Sequence, residues 1–528
     1  MKALASTVAA AALIAAAPGV VSAQDGDVVL TSRATGFTLL GRLLEFDGQT
    51  YIIQSTIGKL NVSAADVDCS GGGCPPPAGA RAFDTTFGVA GSATIGSGLM
   101  PGLIEAYSFA LGTEAEREIG GEDGKFVYRL KDDEGEEVAA INLSARASAD
   151  AFPGLISGDA LIGMSSRPIR SDETESLEDA GIGPIDRAGS EHILALDGLA
   201  VLVSPDNPLR TINIEDVAAV FSGEIDNWAV LGGEDAPINL YVRSEDSGTF
   251  DTFNELVLEP AEADLSETAE RFASDTQLAD AVAADPNGIG VAGLAYTRGS
   301  RALAIEAACG LVIDPTEFNV KTEEYPLSRR LYLYTTGEPL PKPARELLEF
   351  ALSDEAQLEI ADIGFVSHAI ATIPLNQQGR RIAEAFIQPR DPEQQRMMRE
   401  MALELLDAER LSTTLRFETN SSVLDVKSEA DLERLARYVA DGGFAGKELL
   451  LIGFADDIDR FPAALALSEQ RAAQIRAALE SELIRLDAID NVEVATLGFG
   501  PLAPVACSDD EFAKATNRRV EVWVRDAL

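Results

Sequence analysis

The sequence predicts a multidomain chain made of a small β module, a long α/β region and a C-terminal α+β sandwich. Three observations carry that expectation. The chain has 528 residues, too many for one fold at roughly 100 to 200 residues per domain. Strand-type runs alternate with helical patterns through about 83–373, the signature of α/β architecture. The last stretch reads β-α-β-α-β-β, which points to an α+β sandwich. Composition is globular, 46% hydrophobic and 24% charged. Asp and Glu number 87 against 42 Lys and Arg, a net charge of −45. A surface that negative repels phosphate backbones and anionic lipid, so nucleic acid is not an expected partner. Two histidines and four cysteines leave no cluster for a His-rich zinc site and make histidine-based general-base catalysis unattractive. No metal and no cofactor is expected.

Residues 1–23 carry Lys2, an Ala/Leu/Ile/Val run and the small residues Val21-Ser22-Ala23, the three-part pattern of a cleaved signal peptide. No later run approaches about 18 uninterrupted apolar residues. An exported protein follows. Residues 24–77 are expected as the β module: short alternating runs are broken by turn pairs at Asp47-Gly48 and Ile57-Gly58. Cys69 and Cys74 bracket Ser-Gly-Gly-Gly, a loop that closes easily into a disulfide in an oxidising compartment. Pro75-Pro76-Pro77 marks an extended linker.

In the region 83–373, FGVAGSATI (87–95) reads as a strand leading into a helix with Leu99, Leu103 and Tyr107 on one face. EVAAINLSA (137–145) reads as a strand after a hairpin-like segment, and further strands are expected at 198–204 and 238–242. Residues 374–410 are rich in Gln, Arg and Glu and are expected as a helical linker. The module 411–528 opens with the strand LRFETNSSVL; Ser428 and Asp431 form a capping-box-like start to a helix carrying Leu432, Leu435, Ala436 and Val439 on one face. Cys309 and Cys507 fall in different domains and are expected as buried thiols, with a bridge between them as the alternative. His192 and His368 are expected to be structural.

Four turns of the α/β region present short hydroxyl side chains and free amides. Gly91-Ser92-Ala93-Thr94-Ile95-Gly96 lies between a strand and a helix, where unpaired N–H groups favour an anion. Ser144, Ser148 and Asp150 follow the strand INL, and Gly163-Met164-Ser165-Ser166-Arg167 follows ALI. Arg243-Ser244-Glu245-Asp246-Ser247-Gly248-Thr249 joins a permanently charged fork to hydroxyls and a helix start. Each turn alone is an ordinary helix entry or surface charge; together they suit one small tetrahedral anion.

These residues resemble the phosphate-specific periplasmic solute-binding proteins of ABC importers, with the type II binding-protein fold. The resemblance covers roughly 87–372 and includes LDGLAVLVSPDNPLRTINIEDVAAVFSGEIDNW (196–228), DPNGIGVAGLAY (285–296), YPLSRRLYLYT (325–335) and LLEFALSDEAQLEIADIGFV (347–366). It implies two lobes joined by crossover strands, inorganic phosphate clamped between them, and an ABC permease as partner. Position by position, it implies phosphate contacts from Thr94, Ile95, Ser148, Ser166, Arg243, Ser247, Gly248 and Thr249. Many family members place Asp where Ser166 stands, and that carboxylate accepts the proton of hydrogen phosphate. With Ser166 in its place, Glu245 or Asp246 is the expected proton acceptor, the alternative being that both merely solvate the loop.

In the last module Asp456 follows the strand LLLIGFA, and Arg471 lies 15 residues on. Their spacing alone would leave them two surface charges. The segment, however, is similar to the OmpA-like domain through Leu467-Ser468, Arg471-Ala472 and Asn517-Arg518-Arg519-Val520-Glu521-Val522. That resemblance implies that Asp456 and Arg471 hold the ammonium and carboxylate of diaminopimelate in peptidoglycan stems. The family's usual Gly and Asn are Asp459 and Ala464 here. The favoured expectation is a Gram-negative periplasmic phosphate-binding protein tethered to the cell wall or outer membrane. A cell-wall adaptor with an altered clamp and, further off, a phosphatase are the alternatives; no catalytic nucleophile and base are evident.

Overall fold

The computed structural model describes residues 27–32, 38–46, 50–55, 58–63, 67–70, 74, 86–120, 124–187, 189–245, 247–387, 389, 391–418, 421, 423–456, 460–507 and 511–527. The expected signal peptide 1–23 and Pro75-Pro76-Pro77 lie outside them. The chain divides into two compact units, Met1–Asp84 and Thr85–Leu528.

The first unit is a five-stranded antiparallel sheet in the order Gly58–Ser63, Thr50–Ser55, Thr38–Phe46, Asp27–Ser32, Val67–Ser70. Alternate residues Val28 and Leu30, and Tyr51 and Ile53, are buried on one face, as the two-residue period of a strand requires. Cys69 and Cys74 are disulfide-bonded.

The second unit is built around an 11-stranded sheet. Its centre is the 13-residue strand Glu191–Val203, antiparallel to Ser328–Tyr334 along one half and to Gly288–Gly293 along the other. On one side the sheet continues through Ile162–Ser165, Thr86–Ser92 and Glu137–Arg146; on the other through Asn239–Arg243 and Glu270–Phe272. Two separate cores form. Leu194, Ala195, Leu331 and Leu333 pack into the first, while Leu196, Leu199 and Leu327 pack into the second. The division falls within Glu191–Val203 and at the start of Ser328–Tyr334, so the chain crosses between two lobes along both.

The remaining residues form a five-stranded sheet ordered Thr372–Pro374, Glu409–Arg416, Arg519–Asp526, Lys447–Gly453, Glu493–Gly498. Helices Val426–Ala440 and Phe461–Arg485 cover one face through Leu449 and Leu451; Pro392–Glu404, with Met397, Met398 and Met401, covers the other through Leu450 and Ile452. Residues 374–410 are thus a structural layer of this domain, where a helical linker had been expected. The physical reason is the run Leu449-Leu450-Leu451-Ile452, which is apolar on both faces and must be covered on both. The first strand ends at Arg416, before the expected 424. Asp425 caps the following helix by accepting from the Ser428 N–H at 2.7 Å, and Ser428 Oγ instead accepts from the Arg416 N–H at 2.8 Å.

This domain is fastened to the two-lobed part by charge and by a covalent bond. Cys309 and Cys507 form a disulfide, not the separate buried thiols that their assignment to different domains suggested; the fold brings the loop after Ile489–Asn491 and Glu493–Gly498 against the second lobe. Arg330 Nη2 meets Asp425 at 2.8 Å, Arg416 Nη1 meets Glu323 at 3.1 Å and Arg410 Nη1 meets Glu324 at 3.1 Å. Burial alone would raise the Glu323 carboxyl, but Arg330, Lys427 and Arg416 outweigh it and hold it well below the usual carboxylate range.

Candidate functional site

In the first lobe Thr86–Ser92 is parallel to both Glu137–Arg146 and Ile162–Ser165. In the second, Asn239–Arg243 is parallel to Glu270–Phe272 and Gly288–Gly293. The chain leaves these strands at their carboxyl ends in turns centred on Ala93-Thr94, Ala147-Ser148, Ser166, Ser244–Ser247 and Ala273-Ser274. Ligand sites of α/β sheets form at such ends.

On the first lobe, Thr94–Leu99 is a π-helical turn that runs into the helix Met100–Leu111, and Ile95 within it is buried. Gly91, with φ 133°, sits so close to the neighbouring strand that a Cβ would lie 2.0 Å from the Met164 carbonyl oxygen. That contact brings the Thr94 and Ser166 turns side by side. Ser148 and Ser166 are both buried; their hydroxyls are 3.0 Å apart, and the Ser166 N–H donates to Ser148 Oγ at 3.1 Å. One hydrogen bond between two hydroxyls uses one proton and leaves the other free to donate.

On the second lobe, Arg243 ends its strand with its guanidinium folded onto the next two turns. Nε donates to the Phe272 carbonyl at 3.2 Å, Nη2 to the Ala273 carbonyl at 2.9 Å, and Nη1 pairs with Asp275. Asp275 also accepts from Thr249 Oγ1 at 3.2 Å and from the Gly293 N–H at 2.9 Å. Ser247 caps the helix Gly248–Phe253 by accepting from the Phe250 N–H at 3.1 Å. An arginine has five N–H donors, so after these three bonds Arg243 keeps two.

The lobes meet at Gly248 and Thr94. A Cβ on Gly248 would stand 1.6 Å from Thr94 Oγ1. Arg329, on the crossover strand, spans the same seam: its Nη2 donates to Thr94 Oγ1 and to the Gly248 carbonyl, each at 2.9 Å. Its cross-strand partner Asp197 accepts from the same Nη2 at 3.3 Å. Burial raises the Asp197 carboxyl, with Arg329 pulling it back.

All the predicted phosphate residues therefore lie on these turns. Glu245 is exposed and Asp246 falls outside the described residues. The carboxylates that bond the site's own groups are Asp275 and Asp197. A third, Glu255, is raised by burial and drawn down by Arg329, Arg167 and Arg170. Sequence reasoning missed Arg329, Asp197 and Asp275. A signal for Arg329 was present: in Ser328–Tyr334 it shares the inward register with Leu331 and Leu333, an unusual place for an arginine.

The C-terminal pair sits at a similar juncture. A Cβ on Gly453 would meet the Ser468 carbonyl oxygen at 2.0 Å, so the strand that leads to Asp456 and the helix carrying Arg471 are in contact. Asp456 pairs with Arg518 at 3.0 Å, a partner the sequence pattern matched without assigning it a role. Arg471 lies over the Phe417 ring at 5.4 Å, and its Nη1 is buried with no hydrogen-bond partner. Burial and Arg518 lower its pKa, while Asp456 opposes them. Ala464 is buried, and Asp459 lies outside the described residues.

Fold and site together define a two-lobed solute-binding protein joined to a second, separately recognisable domain. Residues 132–355 match the PBP superfamily domain, and 416–518 match the OmpA family. The phosphate-binding protein PstS of Bacillus subtilis (strain 168) is 31% identical over 237 residues, covering 43% of this chain and 71% of that protein. PstS of Pseudomonas aeruginosa PAO1 is 29% identical over 245 residues, 43% of this chain and 73% of that one. PstS of Borreliella burgdorferi is 25% identical over 231 residues, 43% and 79%. The chain belongs to the family of the phosphate-binding protein PstS, here carrying an OmpA-family domain.

Proposed function

We propose that the two lobes bind inorganic phosphate between Thr94, Ile95, Ser148, Ser166, Arg243, Ser247, Gly248 and Thr249, and that the protein serves ABC-type phosphate uptake in the periplasm of a Gram-negative envelope. The observation that carries this reading is the convergence of strand-end turns from both lobes, with hydroxyls, amides and guanidinium groups on one seam. Such preorganised donors suit a tetrahedral anion. The kinship with phosphate-binding transport proteins supports binding rather than catalysis. Among the described residues no group of three His, Cys, Asp or Glu is placed to hold a metal ion, and no helix is long and apolar enough to cross a membrane.

The OmpA-family domain tethers the protein to peptidoglycan, with Asp456 and Arg471 facing the ammonium and carboxylate of a diaminopimelate stem. The unpartnered Arg471 Nη1 supports this, since a buried guanidinium donor gains most from a carboxylate.

Equilibrium dialysis of the purified protein against phosphate tests the first claim. The expected result is one saturable site per chain, weakened by about 2–5 kcal/mol in Arg243→Ala because a buried anion loses a charge-assisted partner. No saturable site, or an Arg243→Ala variant that binds like wild type, would overturn it.

A further inference from the structure

Resting on that reading of the cleft, we infer that Arg329 is a direct ligand of the bound oxyanion and the second cationic group of the clamp. Its side chain is 6% exposed, so it is a buried charge and not a surface arginine. Nη2 is committed to both lobes at once, through Thr94 Oγ1 and the Gly248 carbonyl, two positions of the proposed phosphate site. Nη1 is buried and has no hydrogen-bond partner. A buried, unpaired guanidinium N–H is costly unless a ligand completes it.

Asp197 explains how such a charge is tolerated before the anion arrives. It lies directly across the crossover ladder from Arg329 and meets it at 3.3 Å through Nη2 and 3.4 Å through Nε, leaving Nη1 free. Arg243 is arranged in the same way over Asp275. Each guanidinium thus has one acid partner and spare donors. Two arginines that never deprotonate favour the more highly charged form of the ligand. Affinity for phosphate should therefore rise with pH through phosphate's second ionisation.

The test compares wild type, Arg329→Gln, Arg329→Lys and the double variant Arg329→Gln/Asp197→Asn by calorimetric titration with inorganic phosphate at pH 6 and pH 8. The double variant removes both charges together, so the buried Asp197 is not left unpaired. A ligand role predicts that Arg329→Gln and the double variant both lose affinity by at least thirtyfold and lose part of the pH dependence, the rest staying with Arg243, with partial recovery in Arg329→Lys. If the double variant bound like wild type with an unchanged pH profile, Arg329 would serve only to neutralise the buried Asp197 and the inference would fall. Failure of wild type to bind phosphate would instead overturn the reading of the cleft on which the inference rests.

Discussion

Replacing Gly248 with Ala should stop the clamp from closing while leaving each lobe folded. The added Cβ would lie 1.6 Å from Thr94 Oγ1, 2.6 Å from Thr94 Cβ and 2.8 Å from Thr94 Cα. Non-bonded heavy atoms sit at about 3.5–4.0 Å, so residue 248 and Thr94 must move apart by about 2 Å. Thr94 and Gly248 belong to different lobes, and a small hinge opening about the crossover strands relieves the clash without disturbing either core. Overpacking of this kind costs about 1–3 kcal/mol, and here only the closed form bears it. At 1.4 kcal/mol per factor of ten, phosphate affinity should fall by roughly 5- to 150-fold. The upper end is expected because the two Arg329 hydrogen bonds across the seam are lost as well. Calorimetric titration with phosphate, alongside thermal unfolding of the ligand-free protein, checks this. Affinity within twofold of wild type would refute the closure argument, and so would a large drop in the ligand-free melting temperature.

Three further expectations follow from the second compact unit. Changing Cys309 and Cys507 together to Ser opens a link spanning a sequence separation of 198; loop entropy alone assigns it about 5 kcal/mol, so calorimetry should show melting on the order of 10 °C lower, or a split into two transitions. An unchanged single transition would contradict that. Stability should fall as pH drops below about 6.5. Burial, then Arg434, lowers His368 to about 3, and burial lowers His192 to about 4; the unfolded chain therefore takes up protons that the native state refuses. Asp431 acts in the same direction at lower pH: burial would raise its carboxyl, but Lys427 and Arg434 hold it below its usual value. Urea unfolding at pH 7.5, 6 and 5 should show this loss, reduced in His368→Asn, whereas a flat profile would count against it. In a sacculus pull-down, Asp456→Ala and Arg471→Ala should each lose most retention while phosphate affinity stays the same; equal retention of both variants and wild type would remove the assigned glycan site.

The turns of the cleft were legible in the sequence because they are local. A strand, a short hydroxyl-bearing turn and a helix start are contiguous in Thr86–Leu111 and Asn239–Phe253, so pattern alone located Thr94 and Ser247. The strand at 87–95 was read too long: its β-type residues continue to Ile95, yet the backbone leaves the sheet after Ser92. Arg329, Asp197 and Asp275 were not legible as site residues because their roles depend on cross-strand register and on two turns meeting over a long sequence separation. Residues 374–410 differ from the expected linker for another reason. Their Gln, Arg and Glu content suggested a solvated helix, while Met397, Met401 and Leu405 recur at a spacing of four and mark the buried face. The doubly apolar strand Leu449–Ile452 already demanded that second layer. Nothing local pointed to Cys309 meeting Cys507 or Glu324 meeting Arg410, since both contacts arise only when the two domains fold against each other.

A crystal structure of the protein grown with inorganic phosphate tests the central claim most directly. Tetrahedral density is expected between the lobes, within hydrogen-bond distance of Thr94, Ser166, Arg243, Ser247 and Thr249. An empty seam in phosphate-saturated crystals, or phosphate bound only away from those turns, would contradict it.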